Sequence, residues 1–223
     1  MNKIYIFFGL VLLVSCAPNE VPSNKDLVER DGIKYEVNSQ TPFTGTNVEF
    51  HENGQLKSKE NFKDGELDGL SEYYWMDGQL QSKLNYKDGE VHGLVERYKY
   101  GQLQFKENYK DGERDGLWIE YYYRNGQLKS KENFKDGELD GLSEYYYMDG
   151  QLQSKLNYID GKLDGLWIGY FENGQLQFKR NYIDGKLDGL WIEYFHRNSQ
   201  ERSLLCFKNG ELLGTTYTFS CEK

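Results

Sequence analysis

The chain has 223 residues, 27 Lys and Arg against 36 Asp and Glu, a formal net charge of −9, and 24 Gly, 3 Pro and 3 Cys. Its 38% apolar residues are too few and too evenly spread for a large alternating helix-and-strand enzyme core, while 19 Tyr, 12 Phe and 4 Trp exclude a disordered polyelectrolyte. A negative balance of this size repels phosphate backbones, so no nucleic-acid partner is expected.

Lys3 precedes an apolar run over residues 4–14, broken only by Gly9, which ends in Leu13-Val14-Ser15-Cys16. The run is too short to span a bilayer and closes on small residues, as a cleavable export signal over residues 1–15 does. Leu, Val and Ser directly before a Cys resemble the lipobox of bacterial lipoproteins. That resemblance implies diacylation of Cys16, with a further N-acyl chain such as palmitate, and a place in the bacterial cell envelope, at the outer membrane or cell surface. The other reading is an ordinary signal peptide with an incidental cysteine. Two or more acyl chains suffice for stable anchoring, which the chain's own charge does not supply. Residues 16–30, with Pro18 and Pro22 among small and polar side chains, read as a tether.

Beyond it the chain repeats. Glycines in an Asn/Asp-Gly-Gln-Leu context stand at Gly54, Gly78, Gly126, Gly150 and Gly174, with Gly101 in series after Tyr100, at spacings of 24, 23, 25, 24 and 24. A second series of Asp-Gly pairs, each followed four residues later by Gly, runs from Gly65/Gly69 to Gly185/Gly189, with Gly210/Gly214 as a degenerate last member. Asn-Gly and Asp-Gly flanked by alternating apolar residues are hairpin signals, because both central residues of a type I′ turn need positive φ. A turn at Asn173-Gly174 pairs Phe171 with Leu176, Gly169 with Phe178, Trp167 with Arg180 and Gly165 with Tyr182, all on one face. Leu166, Ile168 and Tyr170 fall on a wetter face. Trp118 and Trp191 replay Trp167, whereas Ser71 and Ser143 take that position opposite Leu84 and Leu156. The 23- and 25-residue units vary around Tyr100 and Arg124, where a shortened strand or a bulge would absorb the change.

The predicted fold is all-β: an elongated single-layer antiparallel meander of about seven repeated hairpins over residues 31–223, joined by six-residue Asp-Gly loops and making roughly fifteen strands. Residues 33–37 and 215–219 read as capping strands.

Units with Gly-x-Trp-x-x-Tyr-Phe, then Asn-Gly-Gln-Leu, then Asn-Tyr-x-Asp-Gly-Lys resemble the bacterial variant of the MORN repeat, over about residues 31–216. The opening, Gly32-Ile33-Lys34-Tyr35 and then Thr41-Pro42-Phe43-Thr44-Gly45, is similar to how such chains start. The resemblance implies a β-meander used for protein–protein contact, scaffolding and membrane association. Similar bacterial chains carry YwqK-like antitoxin names or a phosphatidylinositol-phosphate kinase name. The kinase name finds no support in this sequence, which has no glycine-rich phosphate loop with its Lys, no catalytic-loop Asp/Asn pair and no Asp-Phe-Gly.

No unique chemical centre stands out. Residues 53–89 and 125–161 are copies offset by 72 positions, differing only at Trp75/Tyr147 and Lys87/Ile159, so any carboxylate pair in one recurs in the other. His51, His92 and His196 show no metal spacing, and no nucleophile elbow or Cys/His pair occurs. Neither catalytic residues nor a cofactor or metal are therefore expected. The Asp rows of the Asp-Gly loops suit weak calcium binding or, more simply, the demands of the turns. Cys206 and Cys221, fifteen positions apart, either staple the last hairpin or remain separate thiols.

The interaction candidates are the aromatics Trp118, Trp167, Trp191, Tyr74, Tyr146, Phe171 and Phe178. They read as hairpin-to-hairpin packing, with Trp167 over Arg180 as a cation–π pair, or as a repetitive groove for a protein or glycan partner. The leading reading is a lipid-anchored envelope scaffold or binding module without catalysis. Its rivals are an antitoxin-type protein that neutralises an exported toxin by direct binding, and a length-setting envelope filament.

Overall fold

The computed structural model describes residues 26–194, 201–215 and 221. They are all-β, in twenty-two antiparallel segments. Two-residue segments such as Lys162–Leu163 continue, past a single Asp, into six-residue strands such as Gly165–Tyr170. With each such pair counted as one, the main sheet has fifteen strands from Gly45–Phe50 to Glu211–Thr215 in seven repeated hairpins. Each strand pairs with its sequence neighbours. Among the described residues no ladder joins Glu211–Thr215 back to Gly45–Phe50, so the sheet is an open meander.

The expected register holds over most of each hairpin. Gly165 pairs with Tyr182, Trp167 with Arg180 and Gly169 with Phe178, while Ser71 and Ser143 face Leu84 and Leu156. Near the turn it shifts by one: Tyr170, not Phe171, faces Leu176, and Gln177 is the extra residue of a β-bulge. The cause is the turn. Gly174 N–H donates to Phe171 O (2.9 Å) and Phe171 N–H to Gln175 O (2.8 Å), with Gly174 left-handed at φ 76° and Asn173 not. Instead of adopting positive φ, Asn173 accepts the Gln175 N–H on its side-chain oxygen (3.0 Å). The loop is therefore a three-residue turn followed by a glycine bulge, not a type I′ turn.

The type I′ geometry belongs to the Asp-Gly pairs, which were expected to be long connections. Asp160 and Gly161 sit at φ 45° and 73°, and Ile159 pairs directly with Lys162 across them. The six-residue loops are thus tight two-residue hairpins, followed by two paired residues and a break. Asp and Gly tolerate left-handed backbone, which a β-branched residue would not. Tyr100-Gly101 makes the same turn, and Lys99 pairs with Gln102 across it, which removes one residue from that unit; the loop between Tyr121 and Leu128 gains one. Loop length absorbs both irregular units and the ladder stays in register.

A second junction recurs among the described residues: at each of the five strand breaks an Asn carbonyl accepts the N–H of the single Asp, and at Asn61, Asn108 and Asn133 the side-chain amide also donates across the break. Asn133 O accepts the Asp140 N–H (2.9 Å), and the Asn133 side-chain amide donates to Leu142 O (2.7 Å). Asn61, Asn85 and Asn108 donate in the same way to Leu70, Leu94 and Leu117 carbonyls. The glycine between lies at positive φ, 101° at Gly141, where an added Cβ would also sit 3.5 Å from the Asn133 Cβ.

Successive units are tied at both long edges. At the Asp-Gly edge, Gly161 N–H donates to Leu139 O and Gly185 N–H to Leu163 O (2.9 and 2.8 Å). At the other, Asn53 and Asn125 amides reach Met76 and Met148 carbonyls in the next unit (2.6 and 2.7 Å). The core is correspondingly thin. Val95, Ser71 and Ser143 are its fully buried side chains, in the row of the Trp positions.

The first end differs from expectation. Leu27–Arg30, placed within the tether, is already a strand and pairs with Ile33–Glu36 in a separate two-stranded sheet. That hairpin does not extend the main sheet as a capping strand would. Turning at Asp31-Gly32, it lies on the Asp64-Gly65 turn of the main sheet, Lys34 N–H donating to Gly65 O (2.9 Å) and Phe43 N–H to Lys34 O (2.8 Å). At the other end Thr215 closes the last described strand, and the rest of the expected cap lies outside the described residues, as do the export signal and residues 16–25 of the tether.

Asn133→Ala removes a donor and leaves the Leu142 carbonyl under-satisfied, and should lower the unfolding free energy by about 1 kcal/mol. Gly141→Ala should cost more, because a φ of 101° strains any residue with a Cβ. Urea unfolding checks both, and an unchanged midpoint for Asn133→Ala would remove the junction's stabilising role.

Candidate functional site

Two rows of side chains cross the aromatic face of the sheet. One alternates glycine with an aromatic ring: Gly141 beside Tyr158, Gly165 beside Tyr182, Gly189 beside Phe207. The next carries Trp118, Trp167 and Trp191, all half-buried. Trp118 lies 5.2 Å from Phe134, Trp167 meets Phe178 edge-on at 5.3 Å, and Trp191 stacks on Phe207 at 5.4 Å. The Arg180 guanidinium is 5.5 Å from the Trp167 ring but closer, 4.2 Å, to both Phe178 and Trp191. The cation expected over Trp167 is thus wedged between neighbouring units. Arg114 stays within its own hairpin, 3.6 Å over Trp118 and 5.1 Å from Phe134. Each of these ring pairs closes its own hairpin, and the Arg180 contact with Trp191 reaches across to the next.

The remaining candidates are elsewhere. Tyr74 and Tyr146 pair with Leu80 and Leu152 at the ends of their strands, and the Tyr146 hydroxyl donates to Glu144 (3.0 Å). Phe171 closes its loop through its backbone. The structure therefore does not gather the seven into one groove. Cys16 and His196 lie outside the described residues. His51 and His92 sit at opposite long edges, His51 on the Tyr74 carbonyl (2.9 Å) and His92 on Asp111 (3.1 Å). Cys206 and Cys221 are bonded to each other, their Cα atoms 5.5 Å apart.

The Asp row is occupied by the fold itself. Asp140 accepts the Asp160 N–H (3.3 Å), Asp164 the Asp184 N–H (3.2 Å) and Asp188 the Asn209 N–H (3.1 Å), each carboxylate holding the next turn. The Thr44 hydroxyl does the same for the Asp64 N–H (2.8 Å). The Asn209 N–H, with Lys208 beside it (3.2 Å), holds the Asp188 carboxyl below its usual range. Its contribution is present above about pH 4 and lost as pH falls through the lowered value. Among the described residues no three His, Cys, Asp or Glu side chains are grouped to hold a metal ion.

Exposed aromatic surface collects at a place the repeat pattern does not single out. Trp75, Tyr100 and Tyr123 are 45%, 75% and 47% exposed, with Met76 beside them at 57%. They belong to three successive loops at the edge opposite the Asp-Gly turns. Two clefts of about 510 Å³ each meet there. The signal lay in departures from the repeat: Trp75 is one of two differences between the long copies, and Tyr100 and Arg124 mark the units of 23 and 25 residues.

Such a sheet, with packing contacts recurring along it and exposed rings gathered at Trp75, Tyr100 and Tyr123 and, one loop earlier, at Phe50, defines a linear repeat protein of the binding-module class. Residues 43–64, 67–88, 114–136, 139–160 and 163–184 each match the family described as the MORN repeat variant, leaving the 23-residue unit unmatched between the second and third. The chain is a MORN-repeat protein. No curated protein matches it. A solved structure, choline binding protein F from Streptococcus pneumoniae in crystal form II, is similar at 14% identity over 85% of this chain and 79% of that one, with a TM-score of 0.18, too distant to carry an argument.

Several tyrosine hydroxyls respond to burial. Burial, followed by donation to Glu60 (2.7 Å), raises Tyr73 well above the ordinary phenol range; burial and Glu132 do the same to Tyr145. Burial and Glu96 push Tyr98 up to about 12. The raised values favour the protonated phenol in the fold, so this stability is complete below about pH 10 and is lost as pH rises through the folded values. Absorbance at 295 nm should show a set of tyrosines that ionise only together with unfolding, and Tyr73→Phe should shrink that set. Ionisation of all tyrosines near pH 10 in the intact fold would contradict this assignment.

Proposed function

We propose that the protein is a lipid-anchored binding module of the bacterial envelope that holds a partner by surface recognition and makes or breaks no bonds in it. The observation that carries the binding reading is the collection of exposed rings at Trp75, Tyr100 and Tyr123 in a protein whose other tryptophans are committed to packing. Exposed apolar clusters of this kind mark interaction surfaces. The address rests on the Leu13-Val14-Ser15-Cys16 motif. A staple in the last hairpin suits an oxidising compartment. Neutralisation of a toxin would require an exported toxin as the partner, and no feature of the described residues favours that reading.

Cells grown with an alkyne fatty acid should label the wild-type chain and leave Cys16→Ala unlabelled and released from the membrane fraction. Added protease should reach the wild-type chain on intact cells if the anchor faces outward. Labelling that persists in Cys16→Ala would end the lipid-anchor reading, and turnover of any substrate by the purified chain would end the binding-only one.

A further inference from the structure

The loops 75–79, 99–102 and 122–127 build a surface found once in an otherwise repeated sheet. Its two clefts share Trp75 and Lys99. One extends over the aromatic face past Gln81, Gln104 and Tyr98, and the other lies among the loop tips at Gln79 and Tyr100. The Lys99 ammonium sits 5.5 Å from the Tyr100 ring centre and 5.3 Å from that of Tyr123. Arg124 lies 5.6 Å from the Tyr123 ring and donates from Nε to its hydroxyl (3.0 Å). Among the described residues neither cation forms an ion pair with a carboxylate. Of the acids lining the two clefts, Glu120 is engaged by Lys129 (2.7 Å) and Asp77 accepts the Gln79 N–H of its own loop (2.9 Å). In a chain of net charge −9, two cations without acidic partners beside exposed rings complement an anionic group.

We propose that this junction binds an acidic oligosaccharide, one sugar ring lying on the Trp75 indole and its acid group on Lys99 and Arg124, with neighbouring sugars in the two clefts. The inference rests on the binding-module reading and adds the site and the ligand class. Side-chain amides and a phenol suit hydroxyl groups, because an amide offers both a donor and an acceptor and a phenol can act as either. An acidic peptide would bind better along a free strand edge, and this stretch has none: Leu80–Lys87, Glu90–Lys99 and Gln102–Lys110 are each paired on both sides.

The test applies the full chain, purified in mild detergent, to an array of neutral, uronic, sialylated and sulfated oligosaccharides. Poly-L-glutamate, and phosphatidylcholine vesicles with and without phosphatidylserine, serve as competitors. Acidic oligosaccharides should be retained over their neutral counterparts. Trp75→Ala should weaken retention about thirtyfold, as loss of an aromatic hot spot does. Lys99→Gln with Arg124→Gln should erase the acidic preference, while Trp167→Phe leaves binding unchanged. Trp75→Tyr, which copies the residue at the matching position 147, should retain an intermediate affinity and shows that the loop still folds.

A silent array, equal retention of neutral and acidic chains, or competition by poly-L-glutamate or by phosphatidylserine vesicles as strong as by free acidic oligosaccharide would overturn the proposal. Retention that survives both Trp75→Ala and the double Gln variant would overturn the site while leaving the binding-module reading intact.

Discussion

A wide sheet of one layer has almost no interior, so it depends on satisfying its backbone where regular pairing stops. The recurring Asn junction does this: one asparagine accepts the N–H of the kinked Asp through its carbonyl and donates its amide to the carbonyl beyond the left-handed glycine. An unpaired backbone group costs more the more thoroughly it is buried, and the full junction is made at Asn61, Asn108 and Asn133, while Asn157 and Asn181 keep only its carbonyl half. Without it every strand break would be a point of fraying. With it the broken strands keep their register over seven hairpins, although few side chains are fully buried.

The two long edges divide the labour. Asp-Gly turns stack on one another through backbone bonds and carboxylate caps, which uses up acids that would otherwise face solvent as a row. The opposite edge is closed by longer loops that tolerate a residue more or less. Variation is therefore admissible at that edge, and it is where unmatched aromatics and unpaired cations gather. Arg180 shows the contrasting use of the same chemistry, a guanidinium packed against rings to join hairpins.

Much of this was legible in the sequence because glycine spacing and alternation act locally. The pairing of Trp167 with Arg180 and of Ser143 with Leu156 follows from turn position alone, since side chains two residues apart share a face. What misled was the assignment of turns. Asn173 and Asp160 both precede Gly, yet only Asp160 enters the left-handed region, because Asn173 uses its side chain to cap Gln175. That choice depends on how many residues lie between the last paired positions, which the dipeptide does not state. The aromatic candidates failed as a single groove for a related reason. Half-buried rings at repeating positions meet their own neighbours first, and the rings left over sit where the repeat count slips.

The near identity of residues 53–89 and 125–161 has a genetic corollary. Homologous exchange between the two encoded copies would excise 72 codons in frame and rejoin hairpins whose contacts are indistinguishable from native ones. The shorter product would fold as well as its parent yet lack Tyr100, Lys99 and Tyr123, so a lineage carrying this gene can shed the singular surface in one step while keeping the scaffold.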